Sequence, residues 1–485
     1  MKQASLADHR NLADRRNLAN HRNPWLQYLP VGVTALFAFL CFDQGFDMKI
    51  TMLHASELIR AWLGGQPFYA LTWTIAEHTG YLGYSALESG AIYNIVIYLT
   101  MAVWAAPVYL LNHIFHFPNY VEILNLWGRV LVIGLCLVTS GQMAKLAGEL
   151  FPRDRQEGDL PWERDVRYLF LSSPILLYEA IVFNQYDIFM ILTMVIALRL
   201  YFKNRMVLFS LVMALSVCYK LFAVLILFPL LLLKEKRLGR ILGYSLLGVS
   251  LYGLTTLACT LLDPGYSATQ SIMGAHFHYG TWIFEVELPG GFSGVYAFVL
   301  GYVVLCFLAF LHHPGERETE FTLWLCLAVY VLFFCFVNWH PQWVVLLVPF
   351  ISLLFASVRQ REAALLADLV LSVGYFLVNI FRWMHNCFLE ETIFRWVFRP
   401  SFPRDMNPLK DLMLSFGVEK TLLMTVMEAG MLLFLIAAWR GIRGRHPVLE
   451  YPGNGRWVEV LFRARSLVLF LFTLPPIVQL LLSQR

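Results

Sequence analysis

Long apolar runs separated by short polar islands set the pattern of this chain. The runs lie at about 25–42, 90–111, 122–147, 168–183, 187–202, 206–219, 221–233, 241–262, 292–311, 320–337, 343–358, 363–380, 420–438 and 465–482. Several reach the roughly 18 apolar residues that let a helix cross a bilayer. The pattern predicts an all-α polytopic membrane protein of about 13 transmembrane helices, within a range of about 11 to 14.

Charge orients these runs. Basic clusters stand at the N-terminus, at 153–167, at Lys203 and Arg205, at "KEKRLGR" (234–240), at Arg317, at "RQR" (359–361) and at "RGIRGR" (440–445). From residue 203 onward they fall between alternate runs, so the positive-inside rule puts them all on the cytoplasmic side. Counting back places 148–167 inside and "FNQYD" outside. Counting forward from a cytoplasmic N-terminus places residue 43 outside. The chain must then cross an odd number of times between 43 and 148, yet two apolar runs lie there. The run 90–111 holds Pro107 and the interfacial aromatics Tyr93, Tyr98, Trp104 and Tyr109, so it is expected to lie along or dip into the outer surface. Residues 43–120 then form a long first external loop with surface helices. In the alternative, both runs cross and a later short pair does not.

Composition narrows the class. Only 14% of the residues are charged and 58% are hydrophobic, against about 25% charged in soluble proteins. No sizeable soluble domain fits: residues 1–24 read as a basic cytoplasmic tail and 25–485 as one transmembrane domain. The net charge of +4 gives no ground for a nucleic-acid partner. The eight cysteines form no disulfide or zinc pattern and read as small hydrophobes. The first run lacks a small-residue cleavage signature and reads as an uncleaved anchor.

Under this topology the polar islands gather on the outer face. They are Asp43 and Asp47 after the first run, then Asn184, Gln185 and Asp187 in "VFNQYDIF", then Lys220. The loop 263–291 follows with His276 and His278, "NWHPQW" (338–343) with His340 and Gln342, and the loop 381–419 with Arg382. Ionisable groups beside apolar runs are costly and mark functional sites by default. Each also has a plainer reading: a capping acid, a tight hairpin, a snorkelling lysine or an interfacial aromatic belt. In "HASELIRAWLGGQPFYAL" (54–71), Ala55, Leu58, Ala61, Trp62 and Leu63 are expected to share one helix face. Gly64-Gly65 should end that helix and Pro67 start the next.

These stretches resemble the GT-C superfamily of polyprenyl-phosphate-sugar-dependent glycosyltransferases. "D…HASELIRAWLGGQPFY" resembles that family's first external loop, where an acid precedes a pattern close to A-x-x-L-x-x-G-x-P-x-Y. "SPILLYEAIVFNQYD…CYKLFAVLILFPLLLL" is similar to a segment of bacterial polyprenyl-phosphomannose mannosyltransferases. "WHPQWVVLLVPF" resembles their segment near the donor phosphate. The chain departs from that pattern at "CYK", where relatives have Lys-Pro, and at "FNQYD", where they have W-G-Q-x-D. Sugar and acceptor stay open for that reason.

The resemblance implies inverting transfer of a hexose, mannose-like, from a polyprenyl-phosphate carrier to a hydroxyl of a glycan, lipid or protein. The enzyme would sit as a multi-pass protein in a bacterial inner membrane, plasma membrane or endoplasmic reticulum, with its site on the external or lumenal face. It implies Asp47 as base with Asp43 as the other choice, and Asp187 as an orienting acid. Lys220 would bind phosphate with help from His340, Gln342 and Arg382; Asn184, Gln185, His276 and His278 would also contact substrate. No metal or other cofactor is expected. The reading from another class is a transporter or lipid flippase, which would carry mid-span polar groups in internal repeats; no such repeat is visible.

Overall fold

The computed structural model describes residues 28–41, 46–78, 90–151, 162–280, 285–288, 292–312, 315, 317–337, 340–355, 358, 361–383, 408–443, 460–461, 464–465 and 468. In chain order the helices are α1 (Leu29–Cys41), α2 (Phe46–Leu63), α3 (Phe68–His78), α4 (Ile95–Phe115), α5 (Tyr120–Leu150), α6 (Trp162–Leu171) and α7 (Pro174–Leu177). A π-helical turn, Tyr178–Val182, follows directly. Then come α8 (Ile188–Phe202), α9 (Met206–Tyr219), a 3-10 turn (Leu221–Ala223), α10 (Val224–Lys234), α11 (Leu238–Leu262) and α12 (Tyr266–Gly280). Strands β1 (Glu285–Leu288) and β2 (Phe292–Tyr296) pair antiparallel. The chain continues with α13 (Ala297–Leu311), α14 (Glu318–Phe336), a 3-10 segment (Pro341–Leu347), α15 (Val348–Leu354), α16 (Arg361–Trp383), α17 (Pro408–Ser415) and α18 (Lys420–Arg443). Among the described residues, six helices are long and apolar enough to cross a membrane: α4, α5, α11, α14, α16 and α18.

Polar contacts fix which helix ends meet. At one end Glu149 of α5 pairs with Arg199 and, at 2.9 Å, with Lys203 beyond α8. Lys234, closing α10, pairs with Glu318 of α14 at 2.9 Å and lies over the Tyr201 ring of α8. Lys236 donates to the last carbonyls of α13, at Ala309 and Phe310, and Arg317 donates to those of α18, at Gly441 and Ile442. Cations at helix C-termini satisfy carbonyls the helix leaves over and suit its dipole. Here α5, α8, α10, α13 and α18 all arrive, and α14 departs. This basic end also has a buried anchor. Arg465 pairs with Asp368 of α16 at 2.6 Å and donates to Ser172 Oγ and the Leu169 carbonyl of α6.

Helices approach closely where side chains are small. A Cβ on Gly374 of α16 would strike the backbone of Met427, and one on Gly430 of α18 would strike that of Leu371. Glycines facing each helix let the two backbones touch, the packing that serves apolar helices where water-driven burial is weak.

The opposite end carries α2, α3 and the first turns of α4. Pro107 does not break α4; it sits on the exposed face of one continuous 21-residue helix. A proline removes one backbone hydrogen bond, and the remaining turns hold. The first half of α4 makes several polar contacts at this end of the bundle. Asn94, which caps it, bonds Thr255 of α11 at 2.9 Å, and Thr100 bonds the Tyr219 hydroxyl at the end of α9. Trp104 stacks on Trp127, near the start of α5, and each indole donates to the other's carbonyl. In α2, Ala55, Leu58 and Ala61 are buried as expected, but Trp62 and Leu63, one and two positions round the helix from Ala61, are exposed. Gly65, at φ +64°, ends α2.

Asp263, following α11, fastens this end. Its carboxylate accepts the backbone amides of Tyr69 at 2.6 Å and Ala70 at 3.0 Å, the first turn of α3. A Cβ on Gly265 would run into Ala70, so only glycine permits this approach. Thr269 of α12 adds bonds to Trp73 and to the Ala91 carbonyl.

Candidate active site

A buried polar cluster lies at this end. The π-helical turn throws the chain out of α-helical register, and Asn184 then adopts φ +55°, a left-handed conformation that Asn tolerates better than most residues. That reversal points successive polar side chains inward. Asn184 donates to Asn125 of α5 at 3.2 Å, and Gln185 donates to Asp47 Oδ2 of α2 at 2.7 Å. Asp187, at the entrance to α8, pairs with Lys220 Nζ at 3.0 Å. Lys220 occupies the break between α9 and the 3-10 turn, in extended backbone.

The surroundings of Lys220 differ from expectation. It is not a lone external cation: its side chain is 10% exposed and that of Asp187 2%. Its ammonium also lies 5.0 Å from the centroids of both the Tyr93 and Tyr186 rings, within cation–π range. Asp187 therefore faces Lys220 rather than an open cleft. A buried cation needs this much compensation, because burial alone would discharge it.

Asp47 is the more open of the two acids, being only partly buried. Tyr93, in the loop before α4, sits among all three charged groups. Burial, reinforced by the charge of Asp47, pushes its phenol up to about 12, so it stays a neutral donor at physiological pH. Tyr69 of α3 donates to the Tyr93 carbonyl at 2.8 Å, which joins α3 to the cluster.

The other predicted residues fall into three groups. His340 and Gln342 flank Pro341 in the 3-10 segment. Trp343 there packs on Phe222, two residues past Lys220, with centroids 4.5 Å apart, so the segment adjoins the cluster. Gln342 is buried, with no hydrogen-bond partner for Oε1 among the described residues, whereas His340 is exposed against the Trp343 ring. Only Gln342 is turned into the protein. His276 and His278 lie on α12 and Arg382 on α16, but their side chains, like Asp43, are outside the described residues.

Sequence reasoning missed Glu179, Tyr93, Tyr186 and Asn125. Glu179, on the π-helical turn, is 0% exposed, and neither carboxylate oxygen has a hydrogen-bond partner among the described residues. A lone acid inside "SPILLYEAIVF" was the signal that could have found it. Among the described residues, no group of three or more His, Cys, Asp or Glu side chains could hold a metal ion.

Taken as chemistry, the cluster offers one half-open carboxylate held by an amide, and one ammonium held between a carboxylate and two phenol rings. That pairing suits proton acceptance beside an anion. No protein-family model matches this chain, and no curated protein matches it.

Proposed function

We propose that this chain is a GT-C-type integral membrane glycosyltransferase. It moves a hexose, mannose-like, from a polyprenyl-phosphate carrier to a hydroxyl of a glycan, lipid or protein at the external or lumenal face. The observation that carries this reading is the Asp47–Gln185 bond beside the Lys220–Asp187 pair. It joins a candidate base and a candidate phosphate ligand in one cluster.

In a bilayer with the basic end inward, α1, α5, α6 with the π turn, α8 to α11, α13, α14, the segment 341–354, α16 and α18 make twelve passes, and the apolar run 465–482, mostly outside the described residues, is the expected thirteenth. Helices α2, α3 and the first turns of α4 then lie at the outer surface.

In the reaction, the acceptor oxygen attacks the sugar's anomeric carbon as the bond from that carbon to the phosphate oxygen breaks. Asp47 takes the acceptor's proton, and configuration inverts. The departing phosphodiester becomes a phosphate monoester, whose growing charge needs a cation. Lys220 has three N–H donors and presents one to Asp187, leaving two for phosphate.

The test uses purified protein and a panel of citronellyl-phosphate hexoses, with binding and transfer to a membrane-lipid extract measured separately. One member should bind and be consumed. Lys220→Met should weaken its binding, and Asp47→Asn should leave binding near normal while lowering transfer by about 10²–10⁴-fold. A panel with no binding member, or two variants equal to wild type, overturns the reading.

A further inference from the structure

We infer that Tyr93 is a positioning residue for Lys220: a short strap, residues 90–94, holds its ring against the ammonium and keeps that charge from closing fully onto Asp187, so that it can meet a phosphate. The inference rests on the reading of Lys220 as the phosphate ligand.

The strap belongs to no helix or strand, yet side chains of four helices pin it. From α3, Thr72 accepts the Ala91 amide at 3.3 Å, and Tyr69 donates to the Tyr93 carbonyl at 2.8 Å. From α4, the Tyr98 hydroxyl accepts the amides of Ile92 and Tyr93, each at 3.1 Å. Thr255 of α11 accepts from the Asn94 side chain at 2.9 Å, and Thr269 of α12 donates to the Ala91 carbonyl at 2.6 Å. A Cβ on Gly90 would enter the Trp73 ring, so the strap also lies hard against α3. An irregular segment packed among helices must find partners for its backbone. Here the ties converge on Tyr93, both of whose main-chain groups are held, and the Tyr93 ring is what reaches Lys220.

At Lys220 that ring is one of three walls. The ammonium lies 3.0 Å from the Asp187 carboxylate and 5.0 Å from the centroids of both the Tyr93 and Tyr186 rings. The two rings stand at 83° to each other with centroids 5.5 Å apart, and so make a corner beside the charge. Tyr186 is fully buried and neighbours Asp187 in the chain, whereas Tyr93 is partly exposed and arrives from elsewhere.

A ring face attracts a cation through its quadrupole and accepts no strong hydrogen bond. It therefore holds the ammonium in place while leaving N–H groups free, which a second carboxylate would not do. With the ring weakened, Asp187 takes a larger hold, and an arriving phosphate must draw the ammonium away from it. A cation already confined also loses less freedom when its ligand binds.

The experiment measures binding of citronellyl phosphate, the carrier without its sugar, to the full-length protein in detergent. Stop-codon suppression places phenylalanine, or its mono-, di- and trifluorinated forms, at position 93. These keep the ring's shape and remove its negative face stepwise. Tyr93→Phe should bind within about twofold of wild type, and each fluorine should then raise Kd, reaching about 2–30-fold with three, the range of a cation–π contact. Tyr93→Leu should lie at the weak end; if it does not fold, the fluorine series decides alone. A flat series, a Kd that falls with fluorination, or a slope that persists in Lys220→Met overturns the inference. Normal binding by Lys220→Met in an otherwise native chain, or no binding by wild type, would instead reject the phosphate reading beneath it.

Discussion

Gln185 donates to Asp47 at 2.7 Å, and this bond spans 138 positions of sequence to tie the approach to α8 to the first turn of α2. It holds one carboxylate oxygen, and in the proposed reaction the other takes the acceptor's proton. Gln185→Ala should therefore lower kcat for transfer by about 10–100-fold, because misplacement of a catalytic group by an ångström costs rates of that order. KM for the donor should change by less than about threefold, since the uniform part of binding is untouched. Steady-state kinetics in both substrates checks this; a KM effect alone would assign Gln185 to donor binding.

Lys220 and Asp187 are each buried against the other. Removing one leaves a charge without its partner, which costs about 3–5 kcal/mol. Lys220→Met and Asp187→Leu should each lower the thermal midpoint in detergent. The double variant should recover most of that loss, as apolar replacement of a whole buried pair is often neutral. It should not recover donor binding. A double variant as unstable as the sum of the singles would mean that the two residues do not act as a pair.

Asp263 caps α3 from almost two hundred residues away, through the amides of Tyr69 and Ala70. Asp263→Ala should cost about 0.5–2 kcal/mol, the usual effect of losing a side-chain cap. The loss should appear locally. Hydrogen exchange at the amides of 69 and 70 should quicken, while exchange within α10 stays as in wild type. Asp263→Asn keeps one acceptor and should fall between the two.

The helical class is legible in the sequence because long apolar runs announce helices by their length. Asn184, Gln185, Asp187 and Lys220 are conspicuous for the same reason, as polar residues bordering apolar runs. What the sequence hides is pairing. Nothing local says that Lys220 meets Asp187 and lies between the rings of Tyr93 and Tyr186, since a loop and two helix ends must first converge. Periodicity also misleads at the end of α2. Ala61 and Trp62 fit one broad stripe on paper, but they stand about 100° apart round the helix, and only Ala61 is buried. Glu179 escaped because one acid does not disturb the apolar character of its run.

The Arg465 anchor bears on the order in which the protein is made. Its acceptors at Ser172 and Leu169 lie 293 and 296 positions upstream. At roughly 5–20 residues per second, synthesis reaches Arg465 some 15–60 seconds after those groups have been made. Asp368 waits for the same guanidinium. Until Arg465 arrives, the junction of α6 and α16 holds an acid without its counterion, which makes the C-terminal segment the keystone of assembly. A ribosome that stops short of it leaves a bundle whose earlier helices are all present but not yet locked.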